Sequence, residues 1–132
     1  MKPLRILLAE DNPVNQLFAE TLLRQEGHQV VVAATGRQAL AALSQGGFDV
    51  VLMDVQMPEL DGLEATKAIR KGMISGVRRY IPIVALIAHA LKGDRERFLA
   101  AGVDAYVTKP IDVGEVRRVL AKLAGRKPPP SR

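Results

Sequence analysis

Short apolar runs alternate five times with stretches in which apolar residues recur at helical spacing. The runs cover residues 4–9, 28–33, 49–54, 81–87 and 105–107, and the helical stretches cover residues 13–26, 36–45, 63–71, 91–101 and 112–124. Strands that alternate with helices in this way form a parallel sheet with helices on both faces. The run over 49–54 is apolar nearly throughout, which is typical of a central strand. The pattern predicts one α/β domain.

Local signals mark the ends of two of these helices. Asn12 is placed to cap the first helix, Pro13 takes its first position, where a missing N–H costs nothing, and Gly27 ends it. Its apolar residues at helical spacing are Val14, Leu17, Phe18 and Leu22. Asp112 and Glu115 form a capping-box pair for the last helix. The stripe of that helix predicted to face the core is Val116, Val119, Leu120 and Leu123.

Four charged residues stand at the ends of the apolar runs. Glu10 and Asp11 follow the first run, Asp54 ends the third, and Lys109 follows the fifth. The carboxyl ends of parallel strands share one edge of the sheet, and ligands bind at such an edge. Three crowded carboxylates repel one another and require a cation, most often a hard dication with oxygen ligands. Together with the lysine, they suggest phosphate chemistry.

Composition narrows the functional classes. The 132 residues carry 19 Lys and Arg against 14 Asp and Glu, a net charge of +5, of which residues 1–69 contribute −4 (5 against 9) and residues 70–132 contribute +9 (14 against 5). The basic residues are scattered and have no interleaved aromatics, which favours a solvated or partner-facing surface over a nucleic-acid site. With no cysteine and no apolar run near the ~20 residues of a membrane span, we expect a cytoplasmic protein without disulfides.

Three motifs, taken together, resemble the receiver domain of two-component response regulators. They are LAEDN over 8–12, MDVQMPELDG over 53–62 and YVTKP over 106–110. The segment NPVNQ over 12–16 is most similar to the corresponding segment of receivers attached to hybrid sensor histidine kinases. The resemblance implies a flavodoxin-like (CheY-like) fold, a doubly wound five-stranded parallel sheet in order 2-1-3-4-5 with five flanking helices. It implies a receiver domain over 1–124 and a Pro-rich tail or linker over 125–132.

The resemblance also implies the chemistry of the strand-end residues. Asp54 would accept a phosphoryl group from the phosphohistidine of a sensor histidine kinase or a histidine phosphotransfer domain. The chain would then be a phosphoacceptor domain rather than an enzyme. Mg²⁺ would be held by the side chains of Asp11 and Asp54, by Glu10 through water, and by the backbone carbonyl of Gln56.

Lys109 and its neighbour complete the implied site. Lys109 would pair with Asp54 at rest and with the phosphoryl oxygens after transfer. The peptide bond to Pro110 would be cis, which would aim the lysine into the site. The Pro-rich end is compatible with a linker, so the domain can be joined in cis to a kinase or an output domain.

One position departs from the family pattern. The family normally has Ser or Thr at the end of the fourth strand, where this chain has Ile87. Isoleucine cannot donate a hydrogen bond to a phosphoryl oxygen, a bond of about 1.5–3 kcal/mol when one partner is charged. In the family that bond draws in the following loop, and the aromatic residue on the fifth strand, here Tyr106, moves inward; plain packing against the sheet is an equal alternative for Tyr106. We therefore expect phosphoryl acceptance to be intact and the switch to be weak or altered.

Other residues leave alternatives open. Gln56 is predicted to tune the lifetime of a phosphoaspartate. His89 is predicted to tune its hydrolysis or to contact a partner, rather than to act as a base or phosphodonor, since nothing nearby would orient it. Asp61 is predicted to be a turn residue rather than a ligand. One competing function is a phosphatase, but such enzymes usually need an acid two residues after the nucleophile, where this chain has Gln56. The other is a phosphorylation-independent interaction module, which Ile87 favours.

Overall fold

The computed structural model describes residues 2–57, 60–88 and 94–124. Five strands alternate with five helices in these ranges. The strands are β1 (Arg5–Ala9), β2 (Gln29–Ala33), β3 (Val50–Asp54), β4 (Ile83–Ile87) and β5 (Ala105–Thr108). The helices are α1 (Pro13–Gln25), α2 (Gly36–Leu43), α3 (Gly62–Arg70), α4 (Asp94–Ala101) and α5 (Val113–Ala124). Within the described ranges, none of the helices is long and apolar enough to cross a membrane.

All five strands pair in parallel, in the order β2-β1-β3-β4-β5. The register aligns Ala9 with Met53 and Ile87 with Thr108, so the strands finish along one edge. The alternation read from the sequence and the strand order implied by the resemblance are both confirmed. β3 and β4 are buried along their whole length, because helices cover them on both faces.

The sheet buries one apolar layer on each face, because successive side chains of a strand point to opposite sides. On one face α1 and α5 pack through Ala19, Leu23, Val116, Leu120 and Leu123. On the other face α2, α3 and α4 pack through Ala39, Leu43, Ala65, Ile69 and Phe98. The stripe predicted for the last helix therefore does face the core, with Val119 partly buried beside it.

The first helix presents apolar residues to solvent. Val14, Leu17 and Phe18, which recur at helical spacing, are 75%, 66% and 48% exposed. The side of α1 that faces the sheet is formed instead by Ala19 and Leu23. Spacing alone therefore does not identify the buried side of α1, because the helix carries apolar residues on two sides and only one can meet the sheet.

The remaining boundaries follow local chemistry. Asn12 caps α1 as predicted, accepting hydrogen bonds from the first turn, and the Asp112 carboxylate accepts from the Glu115 N–H at 2.9 Å. β4 begins at Ile83 rather than at residue 81, since Pro82 has no N–H to give to the sheet. The predicted start of the fourth helix at residue 91 and the tail over 125–132 lie outside the described residues.

A polar network occupies the amino edge of the sheet, which we define as the residues at the starts of the strands. Here a side chain that precedes one strand accepts a backbone N–H at the start of a neighbouring strand. The three bonds run from Leu4 N–H to His28 Nδ1 (3.0 Å), from Arg5 N–H to Asp49 Oδ2 (2.8 Å) and from Ile83 N–H to Asp104 Oδ2 (2.8 Å). Asp104 also pairs with Arg70 at 2.8 Å. These bonds satisfy N–H groups that the sheet itself leaves without a partner.

Candidate functional site

The carboxyl ends of three strands bring the predicted site residues together. Glu10 and Asp11 follow β1, Asp54 is the last residue of β3, and Lys109 follows β5. The backbone N–H of Lys109 donates to the carbonyl oxygen of Ile87 at 2.8 Å, which fixes where the chain leaves β5. Because β4 lies between β3 and β5, the Lys109 side chain crosses the end of β4 to reach the acids.

The three acids form one cluster. Carboxylate oxygens of Glu10, Asp11 and Asp54 all lie within 4.8 Å of one another. Glu10 and Asp54 are buried, whereas Asp11 is exposed. The cluster is therefore open to solvent at Asp11 and closed beneath it, as expected for a site that must admit a ligand from one side only.

Lys109 pairs with both buried acids. Its Nζ lies 2.9 Å from Asp54 Oδ2 and 3.3 Å from Glu10 Oε1. Burial opposes the charge on the lysine, but the hydrogen bond and the charge of Asp54, with those of Glu10, outweigh it and raise the pKa of Lys109. The ammonium group is thus firmly held in its charged form between two carboxylates.

Glu10 has a strongly perturbed acidity. Burial disfavours its charged form, and the neighbouring Asp54 adds to this effect, so the pKa of Glu10 is raised from 4.5 to about 7. The N–H of Asn12, which donates to Glu10 Oε2 at 3.1 Å, and the charge of Lys109 act in the opposite direction but are weaker. Loss of hydration therefore outweighs the ion pair at this residue.

Backbone groups orient the acids. The N–H of Gln56 donates to Asp54 Oδ1 at 3.0 Å, while Asp54 Oδ2 receives Lys109, so both oxygens of this carboxylate are engaged. The side-chain amide of Gln16 donates to the carbonyl oxygen of Glu10. No buried side-chain polar atom in the described part of the chain lacks a hydrogen-bond partner. The orientation of Asp54 is thus set by its surroundings.

An open cleft of about 470 Å³ lies beside Asp11, the exposed acid of the cluster. Its walls are formed by Asp11, Val55, Gln56, Met57, Asp61, Leu63 and Arg97. Asp61 is also the cap of α3, since its Oδ1 accepts the N–H of Glu64 at 2.8 Å, so its local role is at the start of a helix rather than in the predicted turn. Arg97 was not among the residues predicted for the site, and nothing in its sequence context distinguishes it from the other scattered arginines.

Ile87 and Tyr106 lie where the sequence places them, at the end of β4 and on β5. Ile87 is 4% exposed and belongs to the apolar layer with Phe98. Tyr106 is partly buried, with its ring centroid 6.3 Å from that of Phe98. No hydroxyl is available from Ile87, and His89 lies outside the described residues. The peptide bond between Lys109 and Pro110 is cis, as the resemblance implies.

The acid cluster fits a hard divalent cation. Three carboxylates face one lysine, so once Glu10 is ionised the site holds more negative than positive charge. Carboxylate and carbonyl oxygens are the ligands that Mg²⁺ prefers, and the exposed side at Asp11 leaves room for the waters that this ion retains. The chemistry of the donor set therefore favours Mg²⁺.

Known proteins share these features. Residues 6–121 match the family described as response regulator receiver domain. The sensor protein GacS of Pseudomonas syringae is 44% identical over 131 residues, which cover 97% of this chain and 14% of that protein. The chain thus spans a small part of the length of this relative.

Two solved structures are similar throughout. The receiver domain of a sensor histidine kinase from Pseudomonas aeruginosa, with a magnesium ion coordinated in its active site cleft, is 42% identical with a TM-score of 0.84, over 95% of this chain and 100% of that one. A chain from the complex of the Saccharomyces cerevisiae histidine phosphotransfer protein Ypd1 with the receiver domain of Ssk1 is 28% identical with a TM-score of 0.82, over 92% and 88%. The chain belongs to the response regulator receiver domain family of two-component signalling.

Proposed function

We propose that this domain accepts a phosphoryl group on Asp54 from the phosphohistidine of a sensor histidine kinase or a histidine phosphotransfer domain. One observation carries the proposal: a carboxylate that is 3% exposed pairs with Lys109 at 2.9 Å and shares its pocket with two further acids. A cytoplasmic location and action as a phosphoacceptor rather than a turnover enzyme are parts of the same proposal.

The metal ligands follow from the acid cluster. Mg²⁺ would be held by Asp11 and Asp54, by Glu10 through water, and by the backbone carbonyl of Gln56, which lines the same cleft as Asp11. When bound, the ion neutralises charge on the oxygens of the transferring group. The fit of the oxygen donors to this ion supports the assignment.

The protein's own residues then perform the transfer. A carboxylate oxygen of Asp54 attacks phosphorus, the new O–P bond forms as the N–P bond of the phosphohistidine breaks, and the imidazole leaves with the electron pair. Asp54 is held for this step by the Gln56 N–H and by Lys109. The Lys109 ammonium lies close enough to follow the negative charge onto the phosphoryl oxygens, while Glu10 stays behind as its second partner.

The partner surface is proposed to be the solvent-facing apolar side of α1. Val14, Leu17 and Phe18 are exposed there, and Phe18 and Glu10 line the same small cavity beside Lys109. Exposed apolar groups next to a reactive residue are typical of a protein-binding surface. We expect Phe18→Asp to slow transfer from a phosphorylated histidine phosphotransfer domain and to leave uptake from acetyl phosphate unchanged; equal slowing with both donors would exclude this surface.

The switch is proposed to be weak. Ile87 buries its side chain in the apolar layer instead of offering a hydroxyl to the phosphoryl group. A phosphoryl group shifts the equilibrium between a resting and an active conformation only if it interacts more favourably with the active one. Without that hydrogen bond, the phosphoryl group favours the active conformation only slightly. The domain would then serve mainly to receive and pass on a phosphoryl group.

The domain limits are also part of the proposal. The receiver domain would cover residues 1–124, and the Pro-rich residues 125–132 would form a tail or linker.

The alternative function is a receiver-like interaction module that works without phosphorylation. Ile87 is the observation that favours it, because a module without phosphorylation has no use for a hydroxyl at this position. The intact set of acids and Lys109 favours phosphoryl acceptance.

One experiment separates these functions. The wild-type domain, Asp54→Asn and Ile87→Thr are incubated with acetyl phosphate and Mg²⁺, and the intact mass is measured. We expect the mass of one phosphoryl group to be added to the wild type and to Ile87→Thr, but not to Asp54→Asn. No gain with any donor, including a phosphorylated histidine phosphotransfer domain, would favour the interaction module.

The same proteins test the switch. Beryllium fluoride, which mimics the phosphoryl group, is added while amide shifts are followed at Ala88 and Tyr106. We expect small shifts in the wild type and larger ones in Ile87→Thr. A full two-state shift in the wild type would contradict the weak switch, and so would identical behaviour of the two proteins.

A further inference from the structure

Two glycines at helix starts press against the loop that follows Asp54. Gly36 is the first residue of α2 and Gly62 is the first residue of α3. A Cβ atom on Gly36 would lie 1.9 Å from the carbonyl oxygen of Leu60, and one on Gly62 would lie 2.1 Å from the carbonyl oxygen of Asp54. Both distances are far shorter than any contact between such atoms, so each glycine marks a place where backbone meets backbone closely.

The two contacts flank the loop between β3 and α3, of which residues 55–57 and 60–61 are described: Gly62 meets Asp54 just before it, and Gly36 meets Leu60 within it. At its base the Gly62 N–H donates to the Val55 carbonyl oxygen at 3.0 Å, and the Val55 N–H donates to the Leu86 carbonyl oxygen at 3.2 Å. Farther along, the partly buried Leu60 packs on the apolar layer beneath α2, and its backbone rests on Gly36. The loop is therefore seated on the first turn of α2 as well as on the sheet.

The position of this loop determines the shape of the site. Val55, Gln56, Met57 and Asp61 all belong to it, and all four line the cleft together with Asp11. Gln56 also donates its N–H to Asp54 Oδ1 at 3.0 Å. A displacement of the loop from α2 would thus move the Gln56 backbone relative to both Asp11 and Asp54.

Conformational preference does not explain a glycine at residue 36. Its φ is not among the positive values found at other glycines of the chain, so alanine could adopt the same backbone. At such a position alanine normally stabilises a helix relative to glycine. The reason for glycine is therefore the space that a Cβ atom would take from the Leu60 carbonyl.

We propose that Gly36 is a positioning residue for phosphoryl capture, because its missing Cβ atom lets the backbone of Leu60 seat on α2, which holds the loop after β3 and with it the Gln56 backbone at the acid cluster. The inference rests on the proposed function, since it assigns a role toward Mg²⁺ and the phosphoryl group. Gly36 lies on α2, whereas the acids and Lys109 lie at the ends of strands, so the charged residues of the site do not point to it.

The test compares two glycine-to-alanine variants at helix starts. Gly114 is the second residue of α5, and a Cβ atom there would meet only the Asp112 carboxylate oxygen, at 3.2 Å, so Gly114→Ala is the matched control. Binding of Mg²⁺ alone is measured by calorimetry, and uptake from acetyl phosphate by intact mass. For Gly36→Ala we expect the dissociation constant for Mg²⁺ to rise about tenfold or more, as when a group that orients metal ligands is lost. The uptake rate should fall by up to about 10²-fold, as for a misplacement of about 1 Å.

The outcomes separate this inference from the function on which it rests. If the wild type binds Mg²⁺ and takes up the phosphoryl group, and Gly36→Ala does so equally well, the role of Gly36 is overturned and the function stands. A wild type that does neither overturns the proposed function itself. If Gly36→Ala does not fold, Leu60→Gly replaces it, because it removes the side chain that anchors this loop on the apolar layer beneath α2 without adding an atom. Wild-type binding of Mg²⁺ by a folded Leu60→Gly would then contradict the proposal, and weaker binding would support it.

Discussion

The two edges of the sheet handle polar groups in opposite ways. At the amino edge, Asp49, Asp104 and His28 each accept a backbone N–H from a neighbouring strand. At the carboxyl edge, the buried carboxylates of Glu10 and Asp54 share one lysine, and the pKa of Glu10 is raised to about 7. Acids at both edges accept backbone N–H groups, but only those at the carboxyl edge are also crowded together and under electrostatic stress.

This difference shows that stability and chemistry are located at separate ends of the same strands. A site that holds a dication, as proposed for the acid cluster, has to begin with excess negative charge, and that charge opposes folding in the absence of the ion. The amino edge has no such requirement, so its hydrogen bonds can all favour the folded state. Substitutions at the two edges should therefore have opposite effects on the free energy of unfolding.

The largest effect is expected at the amino edge. Asp104→Ala removes the acceptor of the Ile83 N–H and the partner of Arg70, and both groups are largely buried. We expect the free energy of unfolding to fall by about 3 kcal/mol, as when one partner of a buried pair is lost. Urea denaturation measures this, and phosphoryl uptake by the folded fraction should not change. A loss below about 0.5 kcal/mol would mean that the amino edge contributes little.

An intermediate effect, of opposite sign, is expected at the carboxyl edge. The pKa of Glu10 is higher in the folded protein than its usual 4.5, so the stability due to its protonated form is complete below pH 4.5 and is lost as the pH rises through about 7. Glu10→Gln, which cannot ionise, should therefore be more stable than the wild type by about 1–2 kcal/mol at pH 8 and no more stable at pH 5, both without Mg²⁺.

Urea denaturation in the presence of EDTA at the two pH values measures this difference. Saturating Mg²⁺ at pH 8 should reduce it, because the ion binds the folded wild type and compensates its charge. A wild type that is as stable as Glu10→Gln at pH 8 without metal would show that the carboxyl edge is not under electrostatic stress.

The smallest effect is again at the amino edge and has the reverse pH dependence. Burial lowers the pKa of His28 below 6.5, so the stability due to its neutral form is present above pH 6.5 and is lost as the pH falls through the lower folded value. His28→Ala should cost about 1 kcal/mol at pH 8, through loss of the Leu4 hydrogen bond, and less at pH 5. Thermal unfolding of the two proteins at both pH values measures this. A cost that is independent of pH would indicate that only packing is lost.

Much of the fold could be predicted because its signals are local. Apolar runs and helix caps such as Asn12 and Asp112 depend on residues within a few positions of one another. The buried side of α1 could not be identified in this way, since Phe18 and Leu23 are equally apolar and only the packing of the sheet decides between them. The amino-edge network was also missed, because its partners are 21 to 44 residues apart.

The site shows the same division. Glu10, Asp11, Asp54 and Lys109 could be brought together from the sequence because parallel strands end at one edge, and the structure does place them together. The contact of Gly36 with the loop before α3 had no such signal. It depends on how α2 lies beside another element, and the sequence around a glycine at the first position of a helix does not indicate which backbone it will meet. Sequence patterns thus indicate which residues carry charge to the site but not which ones shape it.

The reach of Lys109 across β4 also ties the chemistry to the order in which the chain is made. Lys109 lies 55 residues after Asp54 and 99 residues after Glu10. Both ion pairs of the site therefore join parts of the chain that are far apart in the sequence. During synthesis from the amino terminus, the acids emerge long before the lysine, and contacts of such separation form late in folding. A nascent or truncated chain that lacks β5 would hold the acids without their cation. The ability to capture a phosphoryl group would therefore report that the whole sheet has been assembled.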